Sequence, residues 1–276
     1  MVEALLGLTG KAALVAGGGT GIGRGCALLL ARAGCRVAVV DRDGTLAEET
    51  AVRIRAAGGE ATAIVADLRG AAAVEAAVAE ATARLGPLAA VVNSVGGQAG
   101  HRAAPLAEVD ETAYRDILAL NLDAAFFLTQ QAGRLLAAAG GGSLVHVVSV
   151  AGLRARPGAA VYGLAKAAVI NLVIQAAAEF GPAGVRVNAV APGMTRTERM
   201  AEALPEAAFA AAAAANPLGR VAEVDDVAGV VLFLASRLAA HVTGQVVAVD
   251  GGDSIQTARP APLGGPQEQA TPKRSQ

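Results

Sequence analysis

Three side chains in one stretch of this chain have the types and spacing for proton chemistry. Tyr162 and Lys166 stand four residues apart, so on a helix they share a face, one turn from each other. A phenol has a reference pKa near ~10 and is a poor acid or base at neutral pH. An ammonium beside it favours the phenolate and draws that pKa toward the working range. Ser149, thirteen positions before Tyr162, ends the apolar run Leu144 to Val148 and can present a hydroxyl beside the phenol. Taken alone, a Tyr-x-x-x-Lys pair is most often a solvated helix face, so its surroundings decide. The chain has only three lysines, Lys11, Lys166 and Lys273, and Lys166 falls inside an apolar segment.

Upstream, Gly17-Gly18-Gly19-Thr20-Gly21-Ile22-Gly23 joins the apolar run Lys11 to Gly17 to a helical segment, Ile22 to Gly34. Glycines permit a tight turn, and a helix N-terminus offers unpaired N–H groups to a pyrophosphate. Eighteen residues past Gly23, a second apolar run ends at Asp41, whose carboxylate can accept from adenosine ribose hydroxyls and repels a 2′-phosphate. Arg42 follows directly and could accommodate that phosphate. NAD is the favoured dinucleotide, with NADP the alternative.

The elements that must position these groups alternate. Strand-like runs at Arg36–Asp41, Ala61–Ala66, Leu88–Val92, Leu144–Val148, Val185–Val190 and Gln245–Val249 join the first run to make seven. Helical segments separate them: Thr45–Ala57, Ala71–Leu85, a long one over Glu108–Ala139, Ala159–Phe180 and Val224–Ser236. The pattern predicts right-handed βαβ units and a Rossmann-type doubly wound α/β fold, with helices on both faces of a parallel sheet. No linker divides it, so residues 1–253 are expected to form one catalytic domain. The segment Thr195 to Pro217 suggests a mobile lid at the carboxyl edge of the sheet. The tail from Ser254 to Gln276, with four prolines, is expected to be disordered.

With these motifs in order, the chain resembles the short-chain dehydrogenase/reductase family from about residue 5 to 252. The glycine loop matches the family pattern at Gly17, Gly21 and Gly23, with Ala16 in place of a threonine. Asp67-Leu68 matches the acidic residue and neighbour that contact adenine, and Asn93-Ser94-Val95-Gly96 stands where N-N-A-G is usual. Asn121, Ser149, Tyr162 and Lys166 match the four catalytic positions, with Ala165 where a serine commonly precedes the lysine. Pro192, Gly193, Thr195 and Thr197 belong to the segment that lies along the nicotinamide, and Val242-Thr243-Gly244 and Val249-Asp250-Gly251-Gly252 match the C-terminal signature.

The resemblance implies that Tyr162 exchanges a proton with the substrate oxygen, and that Lys166 lowers the Tyr162 pKa and holds the nicotinamide ribose. Ser149 would orient the substrate oxygen, and Asn121 would fix a relay water beside Lys166. The reading is an oxidoreductase moving hydride between NAD(H) and a secondary alcohol or ketone. Two other readings stand beside it: an NADPH-dependent 3-oxoacyl thioester reductase acting on acyl carrier protein, and a non-catalytic dinucleotide-binding protein. Substrate contacts fall to His101, Arg154 and Met200; Arg156 has no assigned role. His146, within a strand, reads as a core histidine, and Asp250 as a turn cap or a functional carboxylate.

Composition narrows the partners. Hydrophobic residues make up 54% and the formal net charge is −1, which argues against a disordered chain and against a basic nucleic-acid binder. Cys26 and Cys35 offer neither metal-ligand spacing nor a disulfide framework, so no metal site and a reducing, cytoplasmic compartment are expected. No secretory signal is apparent. The uncharged window Leu135 to Leu153 is broken by Gly140-Gly141-Gly142-Ser143 and is not read as a membrane span. Apolar surface all round Ala159–Ala178, and in part round Ala113–Leu136, predicts a homodimer or homotetramer.

Overall fold

All seven apolar runs become strands of one parallel sheet in the computed structural model, which describes residues 5–255. In chain order the strands are β1 (Ala12–Ala16), β2 (Arg36–Asp41), β3 (Glu60–Val65), β4 (Leu88–Asn93), β5 (Gly142–Val147), β6 (Val185–Pro192), β7 (Thr195–Arg196), β8 (Ala222–Glu223) and β9 (Val246–Val249). The main sheet runs β3-β2-β1-β4-β5-β6-β9, while β7 and β8 form a separate two-stranded pair. The order reverses between β1 and β4, and that switch point opens a crevice at the strands' carboxyl ends. The helices are α1 (Gly21–Arg32), α2 (Gly44–Ala56), α3 (Ala71–Leu85), α4 (Glu111–Leu118), α5 (Ala124–Ala138), α6 (Ala160–Phe180), α7 (Glu198–Ala203), α8 (Glu206–Ala215) and α9 (Val224–Ala235).

Strands apolar on both faces must be covered on both, and two clusters do so. Leu85, Leu128, Leu136 and Val173 of α3, α5 and α6 pack on one face of the sheet. Leu30, Ile54, Val231 and Leu234 of α1, α2 and α9 pack on the other. Helix starts follow local chemistry: the Asp43 carboxylate accepts from the Thr45 and Leu46 amides at 3.0 and 3.2 Å, capping α2, and Asp110 caps α4 through the Ala113 amide at 2.8 Å.

Three expectations change. The long helix expected over 108–139 is a short 3-10 turn, α4, a π-helical turn at Ala119–Asp123, and α5. The wide turn lets the Asn121 amide bond the Ile117 carbonyl at 2.8 Å while also reaching Gly97. The expected lid is built rather than loose. Within α8, Phe209 is 1% exposed, and the Arg196 guanidinium lies 4.1 Å from its ring centre while pairing with Glu206 at 2.7 Å. The tail expected to be disordered from Ser254 instead begins in order. Asp250 accepts from the Gly252 and Ser254 amides at 2.9 and 2.7 Å, holding Asp253–Ile255 in a 3-10 turn. Residues 256–276 lie outside those described.

Helix α6 carries Tyr162 and Lys166. Among the described residues, Ala160–Ala183 is the one segment long and apolar enough to cross a membrane, at a mean hydropathy of 1.5. Here it is a core helix against β6, with Val169 and Val173 buried. Leu164 and Ile174 on α6, Phe126 on α5 and Tyr114 on α4 remain exposed.

Candidate active site

The turn from β1 into α1 is folded around its glycines. Gly17 has φ of 71°, its amide and that of Gly18 donate to the Val40 carbonyl, and a Cβ on Gly23 would lie 1.9 Å from the Gly17 oxygen. Ser94 closes the turn from β4 by donating to the Ala16 carbonyl at 2.8 Å. Ile22 packs against the core below. The N-terminus of α1 then holds an anion from the chain itself. Thr20 Oγ1 and the Gly21 amide donate to Glu198 Oε2 at 2.8 and 3.2 Å, and Arg24 Nη1 meets Glu198 Oε1 at 2.6 Å. Although burial opposes it, the Glu198 carboxyl is held below its ordinary pKa by these hydrogen bonds and the guanidinium charge. Donors that satisfy a carboxylate also satisfy a pyrophosphate, so the residues fit a dinucleotide.

Asp41 ends β2 beside this turn, its Oδ2 accepting from the Gly19 amide at 3.0 Å and its Oδ1 from the Asp43 amide at 3.1 Å. Arg42 is exposed. At the next strand end Asp67 is clasped by Arg69, whose Nε lies 2.9 Å from Oδ1; that hydrogen bond, with Arg42 adding charge, holds the carboxyl below its usual range. Leu68 is buried beside it. Across the crevice, Pro192 is buried at the end of β6, Gly193 packs on Asp250, and Thr195 Oγ1 donates to the Gly193 carbonyl at 3.2 Å. Thr197 caps α7, accepting from the Met200 amide at 3.3 Å, with its methyl group facing Gly21.

Asn121, Ser149, Tyr162 and Lys166, three of them read from widely separated positions, converge at the carboxyl ends of β4 and β5. The Asn121 amide brackets Gly97, donating to its carbonyl at 2.7 Å and accepting from its N–H at 3.0 Å. A Cβ on Gly96 would lie 2.6 Å from Asn121 Oδ1 and 2.7 Å from Lys166 Nζ, so both polar groups crowd that bare backbone. Lys166 is 4% exposed and donates to the Val147 carbonyl at 3.2 Å. Ser149 Oγ accepts from the Ala151 amide at 3.1 Å and comes near enough to Tyr162 to favour its phenolate.

The electrostatics correct one expectation. Burial pushes the Tyr162 phenol above its ordinary pKa; the opposing pulls come from Ser149, then Arg156 and Arg199. Lys166 lies over the Tyr162 ring, 5.6 Å from its centre, and burial presses its own pKa down to about 8. Spacing along a helix gave the shared face but not the burial, and burial decides the direction.

His146 is fully buried between Asn93 Nδ2, 3.1 Å from Nδ1, and Thr129 Oγ1, 3.0 Å from Nε2. Thr129 spends its hydroxyl proton on the Ala125 carbonyl at 2.6 Å, so Nε2 carries the ring proton and Nδ1 accepts from Asn93. Burial, then the Lys166 charge, lowers the His146 pKa to about 3. Asn93 therefore braces the end of β4 through His146 and the Val95 amide, 3.1 Å from its Oδ1.

The substrate candidates separate. His101 pairs with Asp116 at 2.9 Å and, with Gln98 and Arg102, lines a cavity of about 140 Å³ that reaches Ala159–Val161 at the start of α6. Met200 stands on the half-buried side of α7. Arg154 pairs with Asp253. Arg199 and Glu198 were missed by sequence reasoning; they open α7, a helix of six residues too short to give a periodic signal. Among the described residues no group of His, Cys, Asp or Glu could hold a metal ion.

A doubly wound sheet with an anion-holding glycine turn and a Tyr–Lys pair at its switch point defines a dinucleotide-linked oxidoreductase architecture. The family model described as enoyl-(acyl carrier protein) reductase matches residues 16–254. Galactitol 2-dehydrogenase (L-tagatose-forming) of Cereibacter sphaeroides is 39% identical over 90% of this chain and 96% of its own. A short-chain type dehydrogenase/reductase from Mycobacterium ulcerans superposes with a TM-score of 0.85 at 35% identity, covering 91% of each chain. The structure of 7α-hydroxysteroid dehydrogenase with NADH and 7-oxo glycochenodeoxycholic acid superposes at 0.86 and 30% identity, covering 91% of this chain and 97% of that one. The chain belongs to the short-chain dehydrogenase/reductase family, and is an oxidoreductase of alcohol and ketone substrates.

Proposed function

We propose that the protein is an NAD(H)-dependent dehydrogenase/reductase of secondary alcohols and ketones, with Asn121, Ser149, Tyr162 and Lys166 as its catalytic group. The observation that carries this is that Asn121 and Lys166 meet at Gly96, with the Tyr162 ring 5.6 Å from Lys166 Nζ, at the same sheet edge as the glycine turn. Bound nicotinamide supplies a hydride donor or acceptor; the chain supplies position and the proton. Ser149 Oγ holds the substrate oxygen in hydrogen-bond reach of the Tyr162 hydroxyl. Tyr162, kept protonated by burial, donates in ketone reduction and accepts in alcohol oxidation, when Arg156, Arg199 and Ser149 favour its phenolate. Lys166 holds a ribose hydroxyl of the cofactor, and Asn121 keeps the Gly97 peptide in place beside it.

The dinucleotide is held by Gly17, Thr20, Gly21, Ile22 and Gly23 at the pyrophosphate, and by Asp41, Arg42, Asp67, Leu68 and Asn93 on the adenosine side. Pro192, Gly193, Thr195 and Thr197 line the nicotinamide half. Thr20, the Gly21 amide and Arg24, which now hold Glu198, would hold the dinucleotide's pyrophosphate. Asp41, already oriented by the Gly19 amide, favours NAD over NADP. NADPH-linked acyl carrier protein reduction is the second reading, favoured by Arg42 and Arg69 beside the adenosine end. The exposed apolar side chains of α4, α5 and α6 support a homodimer or homotetramer, for which light scattering at micromolar concentration gives the mass. Cys26 and Cys35, both buried free thiols, suit the cytoplasm.

A panel of secondary alcohols and ketones, followed at the nicotinamide absorbance band with each cofactor, tests the reading. Turnover with kcat/KM higher for NAD(H) is expected. A preference for NADP(H) would remove the Asp41 argument, and no turnover on the whole panel would remove the reaction.

A further inference from the structure

Five arginines on this face of the protein are neutralised by the chain. Arg24 meets Glu198, Arg69 meets Asp67, Arg154 meets Asp253, Arg196 meets Glu206 and Arg220 meets Asp226. Arg42, Arg102, Arg156 and Arg199 are exposed and, among the described residues, have no such ion pair. Of these four, Arg199 touches the backbone at the reaction centre. The two terminal nitrogens of Arg199 would each lie 3.2 Å from a Cβ on Gly97, so the guanidinium rests on the peptide that Asn121 brackets. Glu198, its neighbour in sequence, faces the other way toward Arg24 and leaves Arg199 unopposed. Arg156 lies on the loop between β5 and α6, six residues before Tyr162, and comes close enough for its charge to act on the phenol, as does that of Arg199.

We infer that Arg199, resting on the Gly97 peptide and joined by the charge of Arg156 from the β5–α6 loop, is an anion-binding group, so that the alcohol or ketone processed here carries a carboxylate or a similarly compact anionic group. The inference rests on the proposed reaction and names the class of its substrate. The physical case is that a guanidinium with no carboxylate partner, lying on the peptide that Asn121 brackets, has donors free for an incoming anion. A planar guanidinium offers a carboxylate two parallel donors, which fixes orientation as well as charge. A carbonyl placed on Ser149 and Tyr162, with an anionic end on the arginines, is held at two points.

The test uses the full-length enzyme, NADH and three oxo acids of graded length: acetoacetate, 4-oxopentanoate and 5-oxohexanoate, each against its neutral methyl ester. At least one acid should exceed its ester about tenfold in kcat/KM, since one charge-assisted contact is worth about that much or more. Arg199→Leu and Arg156→Leu should each lower that acid-to-ester ratio about tenfold or more, with the loss in KM for the acid. Arg199→Lys, which keeps the charge, should retain part of it. Equal use of acid and ester by the native enzyme overturns the inference while leaving the reaction intact. So does a loss falling equally on acid and ester, or one falling on the KM for NADH, which would assign the arginines to the cofactor. Absence of turnover with all six ketones would overturn the reaction, and the inference with it.

Discussion

Replacing Lys166 with methionine should make the protein more stable at neutral pH while abolishing turnover. Lys166 is 4% exposed, and burial brings its pKa down from 10.5 to about 8. At about 1.4 kcal/mol per unit of pKa, holding the ammonium in the folded state costs about 3 kcal/mol below pH 8. Methionine keeps most of the stem's volume but leaves the Val147 carbonyl without its donor at 3.2 Å, an offset of about 1 kcal/mol. The net gain is about 2 kcal/mol, or about 4–8 °C in Tm for a chain of this size. Its pH dependence is the diagnostic part. Because the folded pKa lies below the unfolded one, the unfolded chain binds more protons between about 8 and 10.5, and native stability rises with pH across that window. The variant lacks this rise, so its advantage is full below pH 8 and fades toward 10.5. The raised pKa values of Tyr162, Cys26 and Cys35 tilt stability the opposite way at alkaline pH, but equally in both proteins. The chain has no tryptophan, so urea unfolding followed by circular dichroism at several pH values from 7 to 9.5 is the assay. A variant less stable than the native protein at pH 7, or an advantage independent of pH, would refute the reasoning.

Glu198→Gln removes the carboxylate from the α1 donors, and NADH should then bind several-fold more tightly in isothermal titration; weaker binding would mean that Glu198 helps the cofactor instead. His146, neutral down to about pH 3, makes the protein lose stability as pH falls from 6.5, because the unfolded chain takes the proton first. His146→Gln should flatten that part of the stability profile, whatever its effect at pH 7. Phe209→Ala should destabilise by about 3–5 kcal/mol and open the α7–α8 segment to proteolysis, since this ring is buried and capped by Arg196.

Much of the site was legible because its chemistry depends on residue types at fixed short spacings. Tyr162 and Lys166 one helical turn apart, and glycines between a strand and a helix, carry their meaning locally. The sheet was legible for a related reason: seven apolar runs at regular intervals, buried on both faces, have few ways to be covered. What stayed hidden depends on the third dimension. The π-turn at Ala119–Asp123 has no glycine or proline to signal it, and its effect shows in the reach of Asn121 to Gly97. Arg154 and Arg156 look alike two positions apart, yet Asp253 claims the first and leaves the second to Tyr162. Arg199 meets Gly97 from about a hundred residues away, and Glu198 meets Thr20 from still further. The direction of the Tyr162 pKa also escaped, because spacing reports proximity and burial outweighs it.

The central claim is that Tyr162 exchanges the proton with the substrate oxygen. Tyr162→Phe keeps the ring over Lys166 and removes only the hydroxyl. With any ketone the native enzyme reduces, the variant should bind NADH with unchanged Kd and lose turnover by about a hundredfold or more. Turnover within a few-fold of the native rate, with NADH still bound, would contradict the account.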